Sequence, residues 1–124
     1  MNRDELQSYI GYELRTDEGD KAVREKVFEY LRRIPAGKVV TYGQIADYLG
    51  SKNLARPVGN ILHSNPDPSR YPCHRVVNSR GQVAQNYAFG GAAAQRERLE
   101  AEGIVFEATG LVDLKKYGYQ GEGV

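Results

Sequence analysis

Residues 41–63 read Thr41-Tyr42-Gly43-Gln44-Ile45-Ala46-Asp47-Tyr48-Leu49-Gly50-Ser51-Lys52-Asn53-Leu54-Ala55-Arg56-Pro57-Val58-Gly59-Asn60-Ile61-Leu62-His63. Thr41 is a natural helix cap, and Ile45, Ala46 and Leu49 give the following residues one apolar face. Gly50 can stop that helix because it adopts a left-handed conformation without strain. Ser51-Lys52-Asn53 then makes a polar turn, and a second helix runs from about Leu54 to His63. Its inward residues are Val58, Ile61 and Leu62. Pro57 falls in the first turn, where its missing amide costs little. Two short helices joined this way fit a helix-turn-helix, although helix pairs with polar turns also occur as plain packing units.

The surroundings extend that reading. Asp20 can cap a helix over Lys21 to Arg33, with Val23, Val27, Tyr30, Leu31 and Ile34 at helical spacing, closed by Pro35-Ala36-Gly37. Val39-Val40-Thr41 is a short extended stretch. Val76-Val77 predicts a strand that turns at Ser79-Arg80-Gly81 and returns through Val83. Ala92 to Ala101 predicts a helix closed by Gly103. The expected fold is mainly α with short β elements, a winged helix-turn-helix-like domain over residues 20–118. A short polar segment precedes it over 1–19, and a loose tail follows over 119–124.

At 124 residues the chain has room for about one core. Its 40% apolar and 27% charged content, with mean hydropathy −0.59, suit a globular domain. A net charge of +1 does not by itself announce a nucleic-acid partner, so a local basic surface must carry that argument. Lys52, Arg56 and the amides opening the second helix are placed to meet a phosphate or a groove. Gly59 lies mid-helix, where glycine costs about 1 kcal/mol relative to alanine. Either close approach of a DNA backbone or tight helix packing accounts for it.

The chain has a single cysteine, Cys73, followed directly by a histidine. One cysteine cannot form an internal disulfide, which fits a reducing compartment, and residues 1–11 contain no apolar leader core. No run is long enough to span a bilayer. The cytoplasm is the expected location, with the nucleoid if DNA is bound. His63, His74 and Cys73 form no recognisable zinc pattern, and Gly90-Gly91 is a turn signal, so no metal or cofactor is expected.

A lone cysteine is often only a small buried hydrophobe. As a nucleophile it needs its thiolate, which an imidazole oriented by a carboxylate can generate. His74 and Glu102 can fill those positions, with a water between thiol and ring because sequence neighbours need not point the same way. Tyr71-Pro72 leads into Cys73 in a stiffened form.

Pro72-Cys73-His74-Arg75-Val76-Val77, with Thr41-Tyr42-Gly43-Gln44-Ile45-Ala46, Ala55-Arg56-Pro57-Val58-Gly59, Asn65-Pro66, Asn86-Tyr87-Ala88-Phe89-Gly90-Gly91 and Ala101-Glu102-Gly103, closely resembles the alkylguanine-DNA alkyltransferase family. The resemblance spans roughly residues 20–118 and implies its active-site domain, acting on double-stranded alkylated DNA as a monomer. It implies a self-inactivating, single-turnover methylated-DNA–protein-cysteine S-methyltransferase that moves an alkyl group from the 6-oxygen of guanine to Cys73. By the same resemblance His74 and Glu102 draw off the thiol proton through a water, and Asn65 orders the group. Tyr42 donates to the departing guanine, and Arg56 replaces the extruded nucleotide in the stack. The second helix enters the minor groove with Lys52 and Gly59 at the DNA, while Pro72 and Tyr87 belong to the substrate pocket, Tyr87 being equally readable as structural.

Two departures stand out. Family members commonly carry a separate N-terminal domain that the short polar start does not supply. In the Val83–Gly91 loop, Ala88-Phe89 replaces a shorter, serine-containing turn. A related group, the alkyltransferase-like proteins, shares the compact domain but carries tryptophan or alanine in place of the cysteine, and binds alkylated DNA without repairing it. Lesion binding with little or no transfer is the alternative reading.

Overall fold

The computed structural model describes residues 17–120, so the start of the expected polar segment and residues 121–124 of the expected tail lie outside it. Helix α1 spans Asp17–Leu31. It begins earlier than the expected start at Lys21, so Asp20 lies within the helix instead of capping it. At its other end the expected helix to Arg33 stops short. Arg33 and Ile34 close tighter turns onto the Tyr30 and Leu31 carbonyls, because Pro35 disfavours helical geometry at the residue before it.

Strand β1, Val40–Thr41, leads directly into α2, Tyr42–Leu49. The Thr41 hydroxyl accepts the Gln44 amide at 3.1 Å, and the Gln44 side chain accepts the Thr41 amide at 3.0 Å. This capping box satisfies two groups that a helix start otherwise leaves unpaired. Gly50 ends α2 at φ 108°, in the left-handed region that the sequence predicts for it. A 3-10 turn over Lys52–Leu54 then sets the entry to α3, Ala55–His63.

A second 3-10 turn, Cys73–Arg75, feeds strand β2, Val76–Val77. The expected hairpin return through Val83 does not form. Instead β2 pairs in parallel with β1, Val40 opposite Val76 and Thr41 opposite Val77. The chain after β2 folds into a closed turn, with Asn78 Oδ1 accepting the Arg80 and Gln82 amides at 2.9 Å each. Gly81 presses this turn against Val112, whose carbonyl would lie 2.3 Å from any Cβ placed there. Helix α4, Gly91–Ala101, and the short α5, Leu114–Tyr117, complete the order. The architecture is mainly helical with a minor two-stranded sheet, consistent with a winged helix-turn-helix-like domain.

One apolar cluster joins Val27 and Leu31 of α1 to Ile45 and Leu49 of α2 and Val58 and Ile61 of α3. Another lies beneath the strands, around Val39, Val77, Leu99 and Ile104. Cys73 belongs to the first and Val77 to the second, so the cysteine turn sits at the seam between them. Tyr119 is tied in as well: its amide donates to the Val39 carbonyl at 2.8 Å, and its carbonyl accepts the Gln44 side chain at 2.8 Å.

Because the capping box fixes where α2 begins, Thr41→Ala is expected to lower the unfolding free energy by about 1 kcal/mol. The urea midpoint at unchanged m-value measures this. Thr41→Ser, which keeps the hydroxyl, is expected to retain most of the stability.

Candidate active site and nucleic-acid interface

Cys73 begins its 3-10 turn just after Pro72 and is only 5% exposed. Its amide donates to the Tyr71 carbonyl at 2.7 Å. Asn65 reaches the same carbonyl with its side-chain nitrogen at 2.7 Å, while its oxygen accepts the Asp67 amide at 2.9 Å. This buried side chain therefore locks the approach to the thiol. Burial pushes the thiol pKa up, and the opposing pull of the Asn65 amide and the Arg98 charge does not overcome it. The thiol is held in its protonated form.

His74 points away from solvent and meets Glu102, Nε2 to Oε2 at 2.8 Å. Burial lowers the imidazole pKa despite the carboxylate beside it. Glu102 itself is under two pressures. Burial works to raise its pKa, but hydrogen bonds from Arg75, His74 and the Gly37 amide prevail and hold it at about 2. At neutral pH Glu102 is thus an acceptor-only carboxylate, and a neutral His74 must donate from Nε2. That leaves Nδ1 as an unprotonated base, and it has no hydrogen-bond partner though fully buried.

Two further residues hold this arrangement, and neither is singled out by the sequence reading. Arg75 grips Glu102 from Nε at 3.0 Å and Nη2 at 2.6 Å, and its Nη1 donates to the Ile34 carbonyl at 2.8 Å. The fork geometry of a guanidinium makes such two-point gripping of a carboxylate possible. Gln95, 1% exposed, donates to the His74 and Val76 carbonyls at 3.0 and 2.8 Å and accepts the Ala84 amide at 2.7 Å. A polar residue one helical turn before the apolar Leu99, on the same side of the helix, was the available signal.

Cys73 opens on a cavity whose walls include Tyr42, Leu62, Tyr87 and Gln95. Burial, and then the neighbouring thiol, raise the pKa of both phenols, so each remains a proton donor. The Tyr87 hydroxyl is buried without a partner. A shallower groove runs along α3 past Arg56, Gly59 and Asn60 and contains no acidic residue. A Cβ at Gly59 would meet only Tyr42 Cε1, at an ordinary 3.9 Å. Internal packing therefore does not require glycine there.

The sequence-predicted residues divide accordingly. Cys73, Tyr42 and Tyr87 share one cavity, Asn65 holds the backbone that leads to the thiol, His74 and Glu102 pair with each other, and Arg56 and Gly59 line the groove. Lys52 is exposed on the turn before α3 and lines neither space, and Pro72 is buried outside the cavity lining. Among the described residues no cluster of His, Cys, Asp and Glu could hold a metal ion, and no helix is long and apolar enough to cross a membrane.

Because Glu102 is more acidic folded than unfolded, its contribution to stability is complete above its ordinary pKa of 4.5 and is lost as pH falls toward about 2. Glu102→Gln is expected to be less stable at neutral pH and to show a flatter acid limb across that window. Urea midpoints measured through the window for both proteins check this. An acid limb equally steep in the variant would assign the loss to other groups.

Residues 22–104 match the family described as 6-O-methylguanine DNA methyltransferase, DNA binding domain. The chain is 42% identical over 91 residues to alkyltransferase-like protein 1 of Schizosaccharomyces pombe, covering 73% of this chain and 83% of that protein. A crystal structure of S. pombe Atl1 in complex with damaged DNA containing O6-carboxymethylguanine superposes with a TM-score of 0.71 at 34% identity, covering 82% of this chain and 97% of that one. The DNA base-flipping protein of Vibrio parahaemolyticus is 39% identical over 95 residues, covering 77% and 93%. The methylated-DNA–protein-cysteine methyltransferase of Mus musculus is also 39% identical, over 102 residues, but the match covers 82% of this chain and only 46% of that protein. With a family match over most of its length and relatives of this similarity, the chain belongs to the 6-O-methylguanine DNA methyltransferase family, among whose members it resembles both the alkyltransferases and their alkyltransferase-like relatives.

Proposed function

We propose that this protein recognises guanine alkylated at its 6-oxygen in double-stranded DNA, drawing the base out of the stack into the cavity beside Cys73. The observation that carries the reading is the continuity of that cavity with the groove along α3, since Tyr42 and Gly59 line both. An extruded base needs an enclosed pocket, and the duplex it leaves needs a neighbouring surface without negative charge. Arg56, exposed on the first turn of α3, fills the gap in the stack. Lys52 adds charge on the flank, and Gly59 allows close approach. One domain over about residues 20–118 carries the activity.

Lesion binding is the better-supported outcome. The relatives that this chain matches over most of their own length include an alkyltransferase-like protein and a base-flipping protein, whereas the match to the methyltransferase covers less than half of it. The buried thiol of the free protein, with its pKa pushed up, points the same way.

A specific observation favours a second reading, alkyl transfer to Cys73. Cys73 lines the cavity, and the next residue, His74, keeps Nδ1 as a buried base without a partner while Glu102 holds its Nε2. In that reading Nδ1 takes the thiol proton, directly or through a water. The sulfur attacks the alkyl carbon, an S–C bond forms as the C–O bond breaks, and the released electron pair goes to the guanine. Tyr42, kept protonated, donates to the base and lessens that charge. Asn65 positions the thiol, and Pro72 and Tyr87 shape the alkyl side of the pocket. The thioether has no good leaving group, so one molecule would perform one transfer.

Incubation with excess duplex containing one 6-O-methylguanine, followed by anisotropy and intact-protein mass measurement, tests both readings. Tighter binding to the methylated than to the unmodified duplex is expected, with the protein mass unchanged. A gain of one methyl group mapped to Cys73, stopping at one per molecule, establishes transfer instead. Equal affinity for both duplexes with no mass change contradicts the proposal as a whole.

A further inference from the structure

The cavity beside Cys73 and the groove along α3 meet at four residues, Tyr42, Gly59, His63 and Asn86, which line both. A nucleotide whose base lies in the cavity while its neighbours remain in the duplex must carry its own backbone across that threshold. Tyr42 and Gly59 already have duties there. His63 is exposed at the last turn of α3, on the same helix face as Arg56 and Asn60, and is the only threshold residue that can become cationic. We infer that His63 is a phosphate clamp for the extruded nucleotide, donating from its imidazole to the backbone where the strand leaves the groove for the cavity.

The surroundings of His63 suit an anion. Arg24 of α1 reaches the adjoining Ser64, its Nη1 donating to Oγ at 2.7 Å. Tyr42 faces the threshold from α2, Cys73 and Tyr87 face it from across the cavity, and Arg56 lies on α3 itself. The 3-10 turn before α3 sends no side chain into either space, and no carboxylate lines them. Tyr42, Cys73 and Tyr87 all have raised pKa values, so none supplies a competing negative charge near neutrality. A phosphate is therefore the anion that a protonated His63 would meet. Asn86, exposed on the opposite rim, can add a neutral hydrogen bond.

This inference rests on the DNA-recognition reading, and the experiment separates the two. Affinities of the wild type, His63→Gln and His63→Lys for a duplex with one 6-O-methylguanine, and for its unmodified counterpart, are measured at about pH 6 and pH 8. The wild type is expected to bind the methylated duplex more tightly at the lower pH. His63→Gln should lose that gain, weakening roughly threefold or more at the lower pH, as one partly screened charge contact implies. Its slope of log affinity against log salt should fall by about 0.9 there. His63→Lys, with a permanent charge, should bind at least as well as the wild type at both values. A His63→Gln variant with the affinity, pH response and salt slope of the wild type overturns the clamp alone. A wild type that does not prefer the methylated duplex overturns the underlying reading, and the clamp with it.

Discussion

One carboxylate organises this domain. Glu102, just past the end of α4, accepts hydrogen bonds from Arg75, from His74 and from the Gly37 amide. Those donors lie within the cysteine turn and after α1, far apart in sequence, and Arg75 extends the connection to the Ile34 carbonyl. A partly buried carboxylate is costly unless its oxygens are satisfied, and here several donors satisfy them. The same contacts make Glu102 strongly acidic and give His74 an obligatory proton acceptor. Stability and site chemistry thus depend on one group, and removing it would unpair Arg75 as well as release the imidazole.

The second constraint is spatial. The capped start of α2 places Tyr42 against α3, where the cavity and groove meet, while Asn65 fixes the backbone that presents Cys73. Gln95 draws the His74 segment, β2 and the loop at Ala84 together from within α4. The recognition surface is accordingly carried on short helices but positioned by buried polar side chains. Apolar packing alone would not fix these backbone segments to a fraction of an ångström. Hydrogen bonds from Asn65 and Gln95 do so directionally.

Local chemistry was legible from the sequence, and long-range partnership was less so. The Thr41 cap and the Gly50 stop depend on residues three to five apart, and the structure places both where the sequence puts them. The proximity of His74 and Glu102 was legible through the motif that each belongs to. Parallel pairing of β1 with β2 was not, because a two-residue strand carries no information on its partner. A hairpin through Val83 satisfied the same local pattern, but Val112 captures the turn instead. Arg75 stood in plain view within the cysteine motif, yet its partner lies 27 residues away. The Gly59 alternatives could be separated only once the space beside it was known. His63 gave no local signal, since its interest comes from two cavities meeting at its side chain.

The central claim is that burial holds His74 neutral while Glu102 fixes its proton on Nε2, leaving Nδ1 as an unprotonated base. Nitrogen-15 NMR of the imidazole rings measures this directly, and His63 and His74 are the only two histidines to assign. At neutral pH the His74 nitrogens should show a protonated Nε2 and an unprotonated Nδ1, with that preference weakened in Glu102→Gln. A proton on Nδ1, or an imidazolium at neutral pH, would contradict the account.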